Sequence, residues 1–110
     1  MNKTKTNYRE RIFIAGHKGL VGSAIYRLLN RSTNHELITI SHKELDLTNQ
    51  NSVKEFFSKK HFTQVYIAAA KVGGIYANEN YPADFLYQNL LIQSNIIYSA
   101  FKSGVKKLLF

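Results

Sequence analysis

Gly16, Gly19 and Gly22, in the stretch GHKGLVG, are the residues whose spacing most directly suggests chemistry in this chain, and that chemistry is anion binding. A glycine at the end of a strand permits a tight turn, a second lets the backbone approach a pyrophosphate closely, and a third lets a helix lie against the strand. The helix then points unpaired N–H groups and its positive dipole end at the phosphates. His17, Lys18, Leu20 and Val21 fill the positions between the glycines, so the candidate cradle is residues 16–22. Taken alone, the pattern also suits an ordinary turn. It acquires meaning only between a strand and a helix.

The flanking residues supply both. Ile12, Phe13, Ile14 and Ala15 form the continuous apolar run of a strand covered on both faces. Leu20, Val21, Ala24, Ile25, Leu28 and Leu29 follow at helical spacing. Turn formers over residues 30–35 then break the pattern, and ELITI at 36–40 is a second strand rich in β-branched residues.

The end of that second strand is where a dinucleotide-binding fold selects its cofactor. An acid there, roughly 20 residues past the glycines, hydrogen-bonds the ribose hydroxyls of NAD and repels a 2′-phosphate. This chain has Ile40, Ser41, His42 and Lys43 instead. Lys18, His42 and Lys43 would surround a phosphate with positive charge, which favours NADP(H). His42 and Lys43 equally suit a solvated turn, with Glu44 beside them, and His17 reads first as a backbone-positioned loop residue. Glu44, Leu45, Asp46 and Leu47 have the alternation of a short third strand. Two roles fit Asp46: facing an adenine amino group at the sheet edge, or shaping the turn before the next helix.

Asn49 or Asn51 caps a helix whose buried stripe is Val53, Phe56 and Phe57 and whose end carries Lys59 and Lys60. QVYIAAA at 64–70 is a fourth strand. Its small Ala68, Ala69 and Ala70 either leave room for a ribose or flat ring, or accommodate a closely packed helix. A glycine-containing loop over 71–80 leads into the longest helix, residues 81–103, which has Pro82 in its first turn and Gly104 past its end. One face of that helix carries Phe85, Asn89, Ile92 and Ile96; another carries Leu86, Leu90, Ile97 and Phe101, wider than one sheet-facing stripe needs. Asn89 either braces a site or faces solvent. VKKLLF at 105–110 reads as a fifth strand.

The expected fold is α/β: an incomplete Rossmann-type doubly wound parallel sheet of about five strands with helices on both faces. A basic flexible tail over 1–8 precedes it, and the domain over 9–110 reads as interrupted at the fifth strand. The chain has 110 residues, no cysteine and a formal charge of +8. The size fits one domain, and the absence of cysteine excludes disulfide scaffolds and thiolate metal sites. No histidine pair has ligand spacing, so no metal is expected. The basic residues are scattered over the tail, helix ends and loops, which argues for a polyanionic small ligand rather than nucleic acid. No apolar run approaches the ~20 residues of a membrane span, so a cytoplasmic protein is expected.

GHKGLVG after the first strand, ELDL after the second, YIAAAKVGG after the fourth and NYPADFLYQNLLIQSNIIYSAF in the long helix together resemble the N-terminal part of the GDP-L-fucose synthases. These belong to the extended short-chain dehydrogenase/reductase superfamily. The resemblance covers about residues 9–110. It implies NADP(H) as cofactor and a GDP-sugar substrate, GDP-4-keto-6-deoxy-mannose, epimerised and then reduced. It implies a pyrophosphate held by residues 16–22, an adenosine end lined by His42, Lys43, Glu44, Leu45, Asp46 and Leu47, and a ribose flanked by Ala68, Ala69 and Ala70. It also implies a homodimer through the 82–103 helix. The family often has arginines near the 2′-phosphate, where this chain has Lys18 and His42. The family's catalytic serine, Tyr-x-x-x-Lys pair and epimerisation acid and base lie beyond the fifth strand, so no catalytic residue is expected in this chain. Tyr98 and Lys102 match the bare spacing but sit in the helix before that strand, and read as helix surface. A related nucleotide-sugar epimerase or dehydratase retaining NAD, and a non-catalytic nucleotide-binding module, are the alternative readings.

Overall fold

The computed structural model describes residues 9–32, 34–69 and 80–110. The basic tail over 1–8, Ala70 and most of the loop after it lie outside the described residues. The described residues form seven elements in order: β1 (Glu10–Ala15), α1 (Leu20–Leu29), β2 (His35–Ile38), α2 (Gln50–Lys60), β3 (Gln64–Ile67), α3 (Pro82–Lys102) and β4 (Lys107–Leu109). The strands form one parallel sheet in the order β2-β1-β3-β4. Phe13 pairs with Ile38 on one side and Val65 on the other, and Val65 with Leu108.

Right-handed crossovers dictate where the helices lie. The chain moves from β1 outward to β2 through α1, then back past β1 to β3 through α2, and onward to β4 through α3. Reversing direction places α1 on one face and α2 and α3 together on the other. Alternation along β1 serves both faces: Ile12 and Ile14 are on one, Phe13 and Ala15 on the other, and all are buried.

The α2/α3 face holds the main core. Phe13, Val53, Phe57, Phe62, Val65, Ile92, Ile96 and Ala100 cluster there with Leu45 and Leu47. The rings of Phe13, Phe56, Phe57 and Phe62 lie 5.1–5.9 Å apart, mostly edge to face. Phe57 is 1% exposed and meets three of these rings. Phe57→Ala is therefore expected to cost about 3–5 kcal/mol of unfolding free energy in the full-length protein, measured by denaturant titration. A loss below about 1 kcal/mol would mean that the cluster is not the centre of the core.

Two expectations change. Residues 44–47 form no strand. The N–H groups of Glu44 and Leu45 donate to the Ser41 carbonyl at 3.1 and 3.0 Å, closing a turn that leaves them unavailable to a neighbouring strand. Leu45 and Leu47 are buried and Asp46 exposed because this loop lies directly on the core, which yields alternation without pairing. The described sheet therefore has four strands, in place of about five.

The second change concerns α1. Leu20 is 88% exposed, and Val21 and Leu28 are 62% and 61% exposed. Gly22 is the buried residue of this helix, with Ile25 and Leu29 half-buried. These three share a stripe at i, i+3 and i+7, so the close approach at Gly22 sets which side faces the sheet.

Candidate functional site

The two ends of the sheet differ in what closes them. At the amino end, polar contacts tie the elements together: the Arg11 guanidinium donates to Glu36 Oε1 at 2.6 Å and to the Lys60 carbonyl at 2.9 Å, and the Arg11 N–H donates to Thr63 Oγ1 at 2.9 Å. At the carboxyl end, β1 and β3 are adjacent while their connections leave in opposite directions. That switch point opens a crevice outside the strand ends.

A cleft of about 280 Å³ occupies it, lined by Phe13, Ala15, Gly16, His17, Lys18, Gly19, Ile40, Ser41, His42, Leu45, Leu47, Ala68 and Ala69. A second hollow of about 520 Å³ shares His42 and Leu47 and adds Asp46, Thr48, Tyr87, Gln88, Leu91 and Ile92. The 41–48 loop is the ridge between them. The second hollow falls in the size range of small-molecule sites, and the first lies just under it.

The glycines build the first cleft in different ways. Gly16 has φ +88°, and a Cβ there would lie 2.6 Å from the Ala69 nitrogen, so only glycine lets the turn pass the end of β3. At Gly22 a Cβ would strike the Gly16 carbonyl, so this glycine lets α1 start directly against the turn. Gly19 has φ −77° and its nearest neighbour to a Cβ is 3.6 Å away, so nothing in the protein itself requires glycine there. What it provides is open backbone at the mouth of the helix.

Gly19 is the N-cap of α1, yet no side chain caps the helix and its first turn contains no acid. The first N–H groups of a helix have no partner within it. Here Gly19 lines the cleft and residues 20–22 stand directly behind its mouth, so the uncompensated dipole end of α1 lies at the cleft's edge, which suits a bound anion. Lys18 and His42 reach the same cleft from the two loops. Lys43 and Glu44 are exposed outside the lining. The Glu44 carboxylate is turned back on its own loop, accepting from Ser41 N–H at 3.3 Å and Ser41 Oγ at 3.0 Å. Asp46 accepts from Thr48 N–H at 3.0 Å and Thr48 Oγ1 at 2.6 Å, shaping the turn before α2, and lines the second hollow. Asn49 caps α2 by accepting from Ser52 N–H at 2.9 Å.

A model of the NAD dependent epimerase/dehydratase family matches residues 12–110. The chain belongs to this family. It is 57% identical over 100 residues to GDP-L-fucose synthase 1 of Arabidopsis thaliana, covering 91% of this chain and 31% of that protein. It is 53% identical over 102 residues to GDP-L-fucose synthase of Escherichia coli K12, covering 93% and 32%. Among solved structures, MlghC, a GDP-mannoheptose C4 reductase from Campylobacter jejuni with NADP bound, superposes with a TM-score of 0.85 at 40% identity, over 93% of this chain and 32% of that one. The chain thus spans about a third of the length of the relatives it matches.

Within this epimerase/dehydratase-family chain, Gly16, His17, Lys18, Gly19, His42, Leu45, Leu47, Ala68 and Ala69 come together at one cleft. Leu20, Val21 and Gly22 stand behind its mouth in the first turn of α1. Ser41 and Ile40 line the cleft and were not marked by any motif; their signal was their place at the end of β2. Tyr98 and Lys102 lie near the end of α3, away from this cleft and beside Lys54 and Phe57 of α2, with Lys102 Nζ 5.9 Å from the centre of the Tyr98 ring. The polar residues that α3 buries are Asn95 and Ser99, while Asn89 is half-buried. Among the described residues no group of three or more His, Cys, Asp or Glu converges to hold a metal, and no helix is long and apolar enough to cross a membrane.

Proposed function

We propose that this chain is the NADP(H)-binding portion of a GDP-L-fucose synthase, which converts GDP-4-keto-6-deoxy-mannose to GDP-L-fucose by epimerising carbons beside the ketone and reducing that ketone. The observation that carries the reading is the uncapped start of α1, facing a cleft whose turn only glycine can make at position 16. The residues present fit a dinucleotide phosphate. Backbone N–H groups of residues 20–22 would hold the pyrophosphate, and Lys18 and His42 the 2′-phosphate. Leu45 and Leu47 would give the adenosine end an apolar wall, with Lys43, Glu44 and Asp46 around it. Ala68 and Ala69, with Ala70, would leave space for a ribose.

When bound, the nicotinamide supplies the hydride for ketone reduction. This chain's part is to bind and orient the nucleotide, and its Tyr98 and Lys102 take no part in proton transfer. The high identity to the Arabidopsis and Escherichia coli synthases supports a GDP-sugar as substrate. Leu86, Leu90 and Phe101 are 61%, 52% and 76% exposed along one side of α3, which supports a homodimer formed through this helix. As a nucleotide-sugar enzyme it would act in the cytoplasm.

The test is the full-length protein incubated with NADPH and GDP-4-keto-6-deoxy-mannose, following NADPH consumption and the sugar product. Formation of GDP-L-fucose is the expected result. Binding of NADPH without turnover of any GDP-sugar would replace this reading with a non-catalytic module. Tightly retained NAD, with that sugar untouched, would point to a different nucleotide-sugar epimerase or dehydratase.

A further inference from the structure

We propose that Asn95 is a positioning residue for nucleotide binding: from α3 it holds the 41–48 loop in the shape that the adenosine end of the nucleotide requires. The inference rests on the NADP(H) reading above and adds to it a residue that touches no ligand.

Asn95 is 8% exposed and packs on the face of α3 that carries Ile92, Ile96 and Ala100. Its Nδ2 donates to the Leu47 carbonyl at 2.9 Å, across 48 residues of sequence. An amide inside an apolar face is unfavourable unless paired, so packing alone would be better served by leucine. What leucine cannot do is donate a hydrogen bond.

The recipient matters because the loop has no strand to hold it. Among the described residues, the hydrogen bonds made within the loop are local: Glu44 and Leu45 to Ser41, Thr48 to Asp46, and Asn49 to the Asp46 carbonyl at 3.0 Å. Local bonds define the shape of a turn but not its position on the core. Leu47 lines both the first cleft and the second hollow, so a shift there changes the two together. Burial of Leu45 and Leu47 presses the loop onto the core without direction, and the Asn95 bond adds direction.

The test uses full-length protein with Asn95→Asp, which offers an acceptor where a donor is needed, and Asn95→Ser as a milder change should the first not fold. Calorimetric titration with NADPH and with adenosine 2′,5′-bisphosphate should show each dissociation constant rising about tenfold, as expected for a lost bond from a buried amide. The kcat at saturating NADPH should stay within about twofold, because only binding of the nucleotide is impaired. Amide hydrogen exchange at residues 45–48 should accelerate. Ile12→Ala, a truncation on the other face of the sheet, serves as the control: it should lower Tm without moving either dissociation constant. Unchanged binding of adenosine 2′,5′-bisphosphate by the Asn95 variants, with wild type binding normally, overturns the inference. A wild-type protein that binds neither nucleotide overturns the NADP(H) reading, and this inference with it.

Discussion

Alanine at Gly22 is expected to lower NADPH affinity of the full-length protein by about 100-fold or more and to destabilise it by about 1–3 kcal/mol. The reason is steric and rests on backbone alone. The added Cβ would overlap the Gly16 carbonyl, an atom that no rotamer change can move aside. Either α1 lifts from the turn or the turn opens, and both displace the N–H groups that face the cleft. Gly19→Ala provides the contrast, because its Cβ would find its nearest neighbour at an ordinary 3.6 Å. That variant should keep wild-type stability within about 1 kcal/mol, alanine being a somewhat poorer N-cap than glycine, and still bind NADPH poorly if a diphosphate occupies the space above it. Denaturant melts and nucleotide titrations on the two variants separate protein packing from ligand contact. A Gly22→Ala protein with normal affinity would show that the mouth of α1 is not where the nucleotide binds.

The strand, turn and helix at 10–29 were legible because each signal was local and redundant. Four consecutive apolar residues needed cover on both faces, and a positive φ at position 16 could be met only by a residue like glycine. The aromatic stripe of α2 was legible for the same reason, since Val53 and Phe57 are buried one turn apart. Residues 44–47 were misleading because period-two alternation reports which side chains face a core, not whether the backbone has a partner. A loop whose Leu45 and Leu47 join the core cluster satisfies the same pattern.

Long-range geometry was the hidden part. The side of α1 that meets the sheet depends on how near a backbone without Cβ can come, and its longer apolar residues, Leu20 and Leu28, consequently look outward. Asn89 and Asn95 are both amides in an apolar helix, six residues apart. The position of the Leu47 carbonyl, fixed by a distant turn, is what gives Asn95 its partner on the loop. The αL conformation of His61 at the end of α2, φ 55°, had no glycine to announce it.

Lys18→Glu is expected to weaken NADPH binding by about tenfold or more while leaving NADH binding within about threefold, because only NADPH carries a 2′-phosphate for the lysine to meet. The geometry favours a charge effect over a packing effect: Lys18 is exposed at the rim of the cleft that His42 reaches from the other side. The nearby carboxylate of Glu44 is bonded back to Ser41, so the native rim presents Lys18 without an acid beside it in the lining. A new glutamate would put repulsion where attraction had been. Because the interaction is close to solvent, its strength should depend on salt, the Debye length being about 8 Å at physiological ionic strength. The gap between wild type and variant should accordingly narrow as salt is raised, for NADPH and not for NADH. If both nucleotides lose affinity equally, Lys18 contacts a group they share, such as the pyrophosphate, and the preference for NADPH must come from His42 or from elsewhere in the complete protein.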